Sequence, residues 1–149
     1  MRYNNSKGID MHKLMMVMDE ISEDLAIVEG KKDKKALKAF GLNNIIAINN
    51  KPLIEIADKI KNKGKSQAVI LTDFDSKGME LAARLEVLLK RYKIKVNNRL
   101  RCKVMKFGRT RIEDFNKLVR GDCHVKVSSN FNEIYNKSSY KGKGSSRET

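Results

Sequence analysis

The sequence contains few of the residues that build stacked aromatic surfaces, thiol metal sites and membrane spans. Aromatic residues make up 6% of its 149 residues, and tryptophan is absent. Cys102 and Cys123 each lack a second thiol at the two-residue spacing of zinc ribbons, and neither His12 nor His124 completes a set of four zinc ligands. The apolar run at residues 14–18 is far too short to span a bilayer. We therefore predict a cytoplasmic protein with no zinc and no membrane partner.

Positive charge, in contrast, is abundant. Lysine and arginine together number 32 against 18 acidic residues, which gives a net charge of +14. Residues 90–111 concentrate this excess, with ten basic residues and no acidic one. A basic stretch is usually a solvated face, but ten uncompensated charges repel one another unless an anion lies among them. The charge favours an anionic partner: nucleic acid, an acidic membrane surface or an acidic protein.

Short apolar runs alternate with amphipathic segments along the first two thirds of the chain. Helical periodicity covers residues 10–22, 32–40, 53–60 and the segment after Gly78, whereas buried strands are predicted at residues 25–28, 45–48 and 68–72. Continuous apolar strands that alternate with such helices are typical of a parallel sheet covered on both faces. The pattern predicts an α/β fold with a mostly parallel sheet of about four strands.

The last third gives weaker signals. The alternation of Leu100, Cys102 and Val104 predicts a fourth strand, with neighbouring basic side chains pointing outward. A short helix is predicted over residues 112–119 and an edge strand over 124–127. We expect residues 1–24 to form an N-terminal helix packed on a domain of residues 25–127, and residues 128–149 to form a disordered basic tail.

Carboxylates follow two of the predicted strands. Glu29 comes after the first strand, and Asp73 and Asp75 come after the third. In parallel sheets the functional residues gather at the carboxyl ends of the strands, so we expect these three to meet. Mg²⁺ favours a few carboxylates, several waters and phosphate oxygens. Glu29 either binds the metal or serves as a general base.

The turn after the third strand has a plain structural interpretation as well. An Asp-x-Asp pair alone is a weak signal, because aspartate often caps a helix. Gly78 permits a tight passage from strand to helix, and the helix N-terminus offers partial positive charge to a phosphate. The pair together with Glu29, each after an apolar strand and before a helix, is a much sharper pattern.

These residues carry a resemblance. Residues 27–37, IVEGKKDKKAL, and residues 70–78, ILTDFDSKG, resemble the two motifs of the Toprim domain. Topoisomerases, bacterial-type primases, recombination-repair proteins and small ribosomal-RNA maturation nucleases share that domain. The chain is most similar to the short, stand-alone archaeal Toprim proteins, over about residues 10–120. The resemblance implies a Rossmann-like three-layer fold and Mg²⁺, with Mn²⁺ as a possible substitute.

The family's roles transfer to particular residues. The resemblance implies that Glu29 is the acid/base residue and that Asp73 and Asp75 bind metal. Residues 111–114 resemble a further acidic motif of the maturation nucleases, in which Glu113 would help to hold metal. Nothing in the chain resembles the zinc-binding domain of primases or the tyrosine-bearing domain of topoisomerases. Hydrolysis or binding is therefore implied, rather than primer synthesis or DNA relaxation.

Three functions are compatible with these residues. The first is a metal-dependent nuclease, with structured RNA favoured over DNA because sparse aromatics argue against base stacking. The second is a non-catalytic nucleic-acid-binding subunit that depends on a protein partner or forms a homodimer. In both, the predicted backbone contacts are Lys31, Lys32, Lys77, Arg99, Arg101, Lys103, Lys106, Arg109 and Arg111.

The third is a phosphatase of the haloacid-dehalogenase kind, whose nucleophile is also the first Asp of an Asp-x-Asp pair. Here the pair follows the third strand rather than the first. Ser76 and Lys77 stand where that family has Gly-Thr, and Lys126 occupies the position of a second required Asp. These departures argue against the phosphatase.

Overall fold

Four parallel strands form one sheet in the part of the chain that the computed structural model describes, residues 9–115. The strands are β1 Leu25–Val28, β2 Ile45–Ala47, β3 Gln67–Ile70 and β4 Lys95–Val96. The helices are α1 Met11–Ile21, α2 Lys31–Ala39, α3 Leu53–Asn62, α4 Ser76–Arg91 and α5 Asn98–Met105, followed by a 3₁₀ helix at Ile112–Phe115.

The strand order is β2-β1-β3-β4, and every pair in the sheet is parallel. Ile27 of β1 is in register with Ile46 of β2 on one side and with Ile70 of β3 on the other. The carboxyl ends of β1 and β3 therefore lie side by side at the centre of the sheet. The predicted α/β fold with a parallel sheet is confirmed.

Each face of the sheet carries its own apolar core. Ala26 and Val28 of β1 face α1, α2, α5 and the 3₁₀ helix, whereas Leu25 and Ile27 face α3 and α4. All four of these β1 side chains are fully buried. Because helices cover both faces, the strands appear in the sequence as unbroken apolar runs rather than as alternating ones.

The fourth strand was predicted in the wrong place. Residues 98–105 form helix α5, and the edge strand is the two-residue β4 that precedes it. Leu100 and Val104 are four residues apart, so both lie on the buried face of a helix, and Cys102 between them is exposed. The Asn97 side chain caps the helix by accepting the Leu100 N–H at 3.1 Å.

The end of the described chain is only partly comparable with the prediction. The helix expected over residues 112–119 is present as the 3₁₀ turn Ile112–Phe115, within which Ile112 and Phe115 are buried. The strand predicted at residues 124–127 and the tail at 128–149 lie outside the described residues, so the division into domains stays a prediction. Within residues 9–115 no helix combines the length and apolarity needed to cross a membrane.

Candidate active site

The two sequence motifs are joined by a direct hydrogen bond. Glu29 follows the last residue of β1, and Asp73 lies three residues beyond the end of β3. The Asp73 backbone N–H donates to Glu29 Oε2 at 2.9 Å. The parallel neighbours β1 and β3 thus bring the predicted catalytic glutamate and the first predicted metal-binding aspartate into contact.

The segment from Thr72 to Gly78, named here the acidic loop, is held by its own side chains. Asp75 is the N-cap of α4, and its Oδ1 accepts the Gly78 N–H at 2.8 Å. The buried Thr72 hydroxyl donates to the Gly78 carbonyl oxygen at 2.7 Å. Asp73 Oδ1 accepts the Ile112 N–H at 3.2 Å. The helix-cap interpretation of Asp75 is therefore correct, and the cap fixes the carboxylate beside Asp73.

Gly78 permits this loop because any side chain would strike the backbone. A Cβ atom at this position would stand 1.9 Å from the Asp73 carbonyl oxygen and 2.6 Å from its carbonyl carbon. A β-carbon cannot approach backbone atoms so closely, so only glycine fits here. The close passage predicted from the sequence is confirmed.

Burial and repulsion between like charges shape the electrostatics of the site. Burial raises the pKa of the Asp73 carboxyl group, and the negative charges of Glu29 and Asp75 raise it further. The hydrogen bond from the Ile112 N–H opposes this rise, as does the positive charge of Arg111. Carboxylates that repel one another in this way are stabilised by a cation placed among them.

Asp33 is a further carboxylate of the site that the sequence reasoning missed. It is 6% exposed, and its Oδ2 accepts the Gly30 N–H at 3.1 Å. Its Oδ1 is buried and has no hydrogen-bond partner within the described residues. Burial, followed by the charge of Asp73, raises its pKa to about 6. The available signal was a single acidic residue in a lysine-rich helix, one turn after Glu29.

The chemistry of these donors fits a magnesium ion. The described contacts of Glu29, Asp73 and Asp75 each engage one carboxylate oxygen with a backbone N–H. In residues 9–115 no three His, Cys, Asp or Glu side chains converge closely enough to enclose an ion. Mg²⁺ does not need such a cage, because it usually takes one or two carboxylates and keeps several waters for phosphate to displace. Glu113, the fourth predicted ligand, pairs with Arg111 at 3.2 Å.

The structure divides the predicted nucleic-acid contacts into three groups. The exposed Lys31 and Lys32 begin α2 directly after Glu29 and Gly30, and the exposed Lys77 lies in the first turn of α4. Lys106, Arg109 and Arg111 belong to the segment between α5 and the 3₁₀ helix.

The remaining three predicted contacts lie on α5. Arg99 and Lys103 both bind Glu20 of α1, each at 3.2 Å. Arg101 does not point outward as predicted, because its guanidinium group is buried and donates to backbone carbonyl groups of β3 and the acidic loop. A buried side chain cannot reach a nucleic-acid backbone, so Arg101 has a different role.

Comparison with known proteins agrees with this geometry. Residues 24–107 match the family model of the Toprim domain. The chain is 32% identical to a UPF0292 protein of Methanocaldococcus jannaschii across 71% of this chain and 87% of that protein. It is 34% identical to a UPF0292 protein of Thermococcus sibiricus across 68% of this chain and 81% of that protein. A solved structure from Aquifex aeolicus superposes with a TM-score of 0.63 at 27% identity, covering 68% of this chain and 96% of that one. The predicted resemblance to small archaeal proteins is confirmed.

Proposed function

Because this chain belongs to the Toprim domain family, we propose that it hydrolyses phosphodiester bonds of structured RNA in a Mg²⁺-dependent reaction. Toprim domains generally bind Mg²⁺ and act on nucleic acid. The observation that carries the proposal is the hydrogen bond between Glu29 and Asp73, which places a general base next to a pair of metal-binding carboxylates. These groups lie at the carboxyl edge of a parallel sheet, where such sheets place their ligands.

Asp73 and Asp75 are the residues that would hold Mg²⁺, with Glu29 and Glu113 as further ligands. The ion, or Mn²⁺ in its place, would neutralise charge that develops on the phosphate. Glu29 uses Oε2 to accept the Asp73 N–H, and its Oε1 is the atom that would take a proton from the attacking water. Phosphoryl transfer needs mainly positioning and charge neutralisation, and both are compatible with so small a site.

The exposed lysines beside the carboxylates would bind the phosphate backbone. Lys31 and Lys32 begin the helix that follows Glu29, and Lys77 follows Asp75 by two residues. The N-terminus of the 16-residue helix α4 points its unpaired N–H groups to the same edge of the sheet. With aromatic residues at 6% of the chain, recognition by backbone and shape is favoured over base stacking, which suits a duplex or folded RNA.

A cleavage assay tests the proposal. The parent protein, Asp73→Asn and the control Asp58→Asn would be incubated with end-labelled structured RNA and with single-stranded and duplex DNA. Asp58 is an exposed carboxylate on α3, which packs on the opposite face of the sheet. Each reaction would contain Mg²⁺, Mn²⁺ or EDTA. We expect the parent and Asp58→Asn to cut RNA with either metal, and Asp73→Asn to cut nothing.

A non-catalytic binding subunit is the second candidate. The observation that favours it is that, within residues 9–115, three metal-ligating side chains do not converge. Such a subunit would bind nucleic acid, with affinity falling steeply as salt rises through counterion release. It would leave every substrate intact in the assay above, in the parent and in both variants, and a partner chain would be needed to complete the site.

A further inference from the structure

We propose that Arg101 is a positioning residue that holds the acidic loop in the conformation that binds the metal. This inference deepens the proposed function and rests on it for the identity of the ligand. The hold on the loop itself is a property of the protein without metal.

Arg101 reaches the acidic loop from helix α5, on the face of the sheet that also carries α1. Its side chain is 6% exposed. Nη1 donates to the carbonyl oxygen of Ile70 at 2.9 Å and to that of Thr72 at 3.0 Å. Nη2 donates to the carbonyl oxygen of Asp73 at 3.3 Å. One planar group therefore ties together the last residue of β3, the first residue of the acidic loop and the first metal-binding aspartate.

The guanidinium group also contacts side chains of the same region. It stacks over the Phe74 ring, with Cζ 4.7 Å from the ring centroid, and Nη2 lies 3.4 Å from the Met79 sulfur. Phe74 stands between the two aspartates, and its own N–H donates to the Thr110 carbonyl oxygen at 2.7 Å. The side of the loop opposite Glu29 is thus packed against Arg101 at both its backbone and its central side chain.

A buried arginine whose acceptors are uncharged is costly unless nearby charges compensate for it. Each hydrogen-bond acceptor that Arg101 meets among residues 9–115 is a carbonyl oxygen or the methionine sulfur. Burial lowers the pKa of Arg101, and the negative charges of Glu29 and Asp73 are among those that oppose the change. The acidic site therefore stabilises the buried cation, and the cation in turn fixes the backbone from which Asp73 projects.

The geometry requires arginine rather than any cation. A guanidinium group presents its N–H donors in a rigid planar fork, and two nitrogen atoms here serve three carbonyl groups. The single nitrogen of lysine keeps the charge but cannot reproduce that fork. Arg101→Lys therefore separates the positioning role from the charge. Arg99→Lys is the matched control, since Arg99 lies two residues away on α5 with an exposed side chain.

The first measurement is amide hydrogen exchange of the metal-free parent, Arg101→Lys and Arg99→Lys proteins. A purely structural loss would speed exchange throughout the fold. The proposal instead predicts a local effect: the Asp73 and Gly78 amides exchange at least tenfold faster in Arg101→Lys, while core amides of β1 keep their parent rates. Parent-like exchange in the acidic loop would overturn the proposal, whatever the metal result. Global acceleration without a local excess would overturn it equally.

The second measurement is Mn²⁺ affinity by calorimetry. Residues that orient metal ligands typically alter affinity by about 10- to 100-fold when mutated. We expect Arg101→Lys to bind Mn²⁺ at least tenfold more weakly than the parent, and Arg99→Lys to bind like the parent. Parent-like affinity in Arg101→Lys would overturn the proposed link to metal binding. A parent protein that binds no Mn²⁺ would contradict the proposed function and also the metal part of this proposal, while the exchange data would still decide whether Arg101 positions the loop.

Discussion

The Glu29 carboxylate accepts the backbone N–H of Asp73 at 2.9 Å, across 44 residues of sequence. This bond joins the two motifs at the point where β1 and β3 end side by side. It gives Glu29 a structural role besides the proposed chemical one, because its Oε2 satisfies a donor that is partly withdrawn from water. The two roles are separable by substitution.

Replacing Glu29 by two different residues distinguishes them. Glu29→Gln keeps an oxygen that can accept the Asp73 N–H, so we expect a free energy of unfolding within about 0.5 kcal/mol of the parent. Glu29→Ala removes the acceptor, and the unsatisfied N–H should cost about 1–3 kcal/mol. Both variants should lose cleavage. Urea unfolding measures the first effect, and equal destabilisation by both variants would show that the hydrogen bond contributes nothing.

Gly78 should be the more sensitive of the two motif glycines. Gly78→Ala drives a Cβ into the Asp73 backbone, so the loop must move, at an expected cost of about 1–3 kcal/mol together with loss of metal affinity. Gly30→Ser is the control, because no atom lies within 4 Å of a Cβ at Gly30 and serine is a good N-cap. Thermal unfolding compares them. Equal stability of Gly78→Ala and the parent would mean that the acidic loop has another low-energy conformation.

Asp33 should make stability depend on pH in a defined window. Its pKa is about 6 in the folded protein and near 3.8 when unfolded, so the folded state binds the proton more tightly. The unfolding free energy contributed by Asp33 therefore rises as pH falls from about 6 to 4. The shift corresponds to about 3 kcal/mol lost above pH 6.

Asp33→Asn tests this dependence, since asparagine keeps an acceptor for the Gly30 N–H without the charge. We expect the variant to be more stable than the parent at pH 7.5, by up to about 3 kcal/mol, and to match it near pH 4. Asp58→Asn should differ little from the parent at either pH. A constant difference between Asp33→Asn and the parent across this range would contradict the assignment.

Charge reversal at the start of α2 tests the proposed backbone contacts. Lys31→Glu with Lys32→Glu should weaken nucleic-acid binding and reduce the salt dependence of log K by about 0.9 for each lost phosphate contact on duplex. Lys61→Glu with Lys63→Glu is the matched control, because these exposed lysines end α3, at the opposite edge of the sheet. Fluorescence anisotropy across a salt series measures both. Equal weakening by the two pairs would indicate a diffuse charge effect without a defined binding face.

Much of the fold was predictable because it depends on local patterns. Buried strands such as β1 stand out as unbroken apolar runs, and parallel pairing follows from the helices between them. Once β1 and β3 were recognised, the meeting of Glu29 with Asp73 required only that neighbouring strands end at the same edge.

The two residues that were missed or misplaced depend on tertiary contacts. Arg101 lies in a stretch of ten positive charges, and its burial depends on carbonyl groups of β3 about 30 residues earlier in the chain. Leu100, Cys102 and Val104 fit a strand as well as a helix, because positions four apart satisfy both periods. Asp33 looked like one charge among lysines, and only the packed structure shows that it is buried beside Asp73.

The most direct test of the account is Mn²⁺ binding by calorimetry to the parent, Asp73→Asn and Asp58→Asn proteins, each first shown to be folded by circular dichroism. The account predicts that the parent and Asp58→Asn bind with the same affinity and that Asp73→Asn binds at least tenfold more weakly, because the carboxylate that adjoins Glu29 has lost its charge. Binding by Asp73→Asn at the affinity of the parent would contradict the assignment of the metal site.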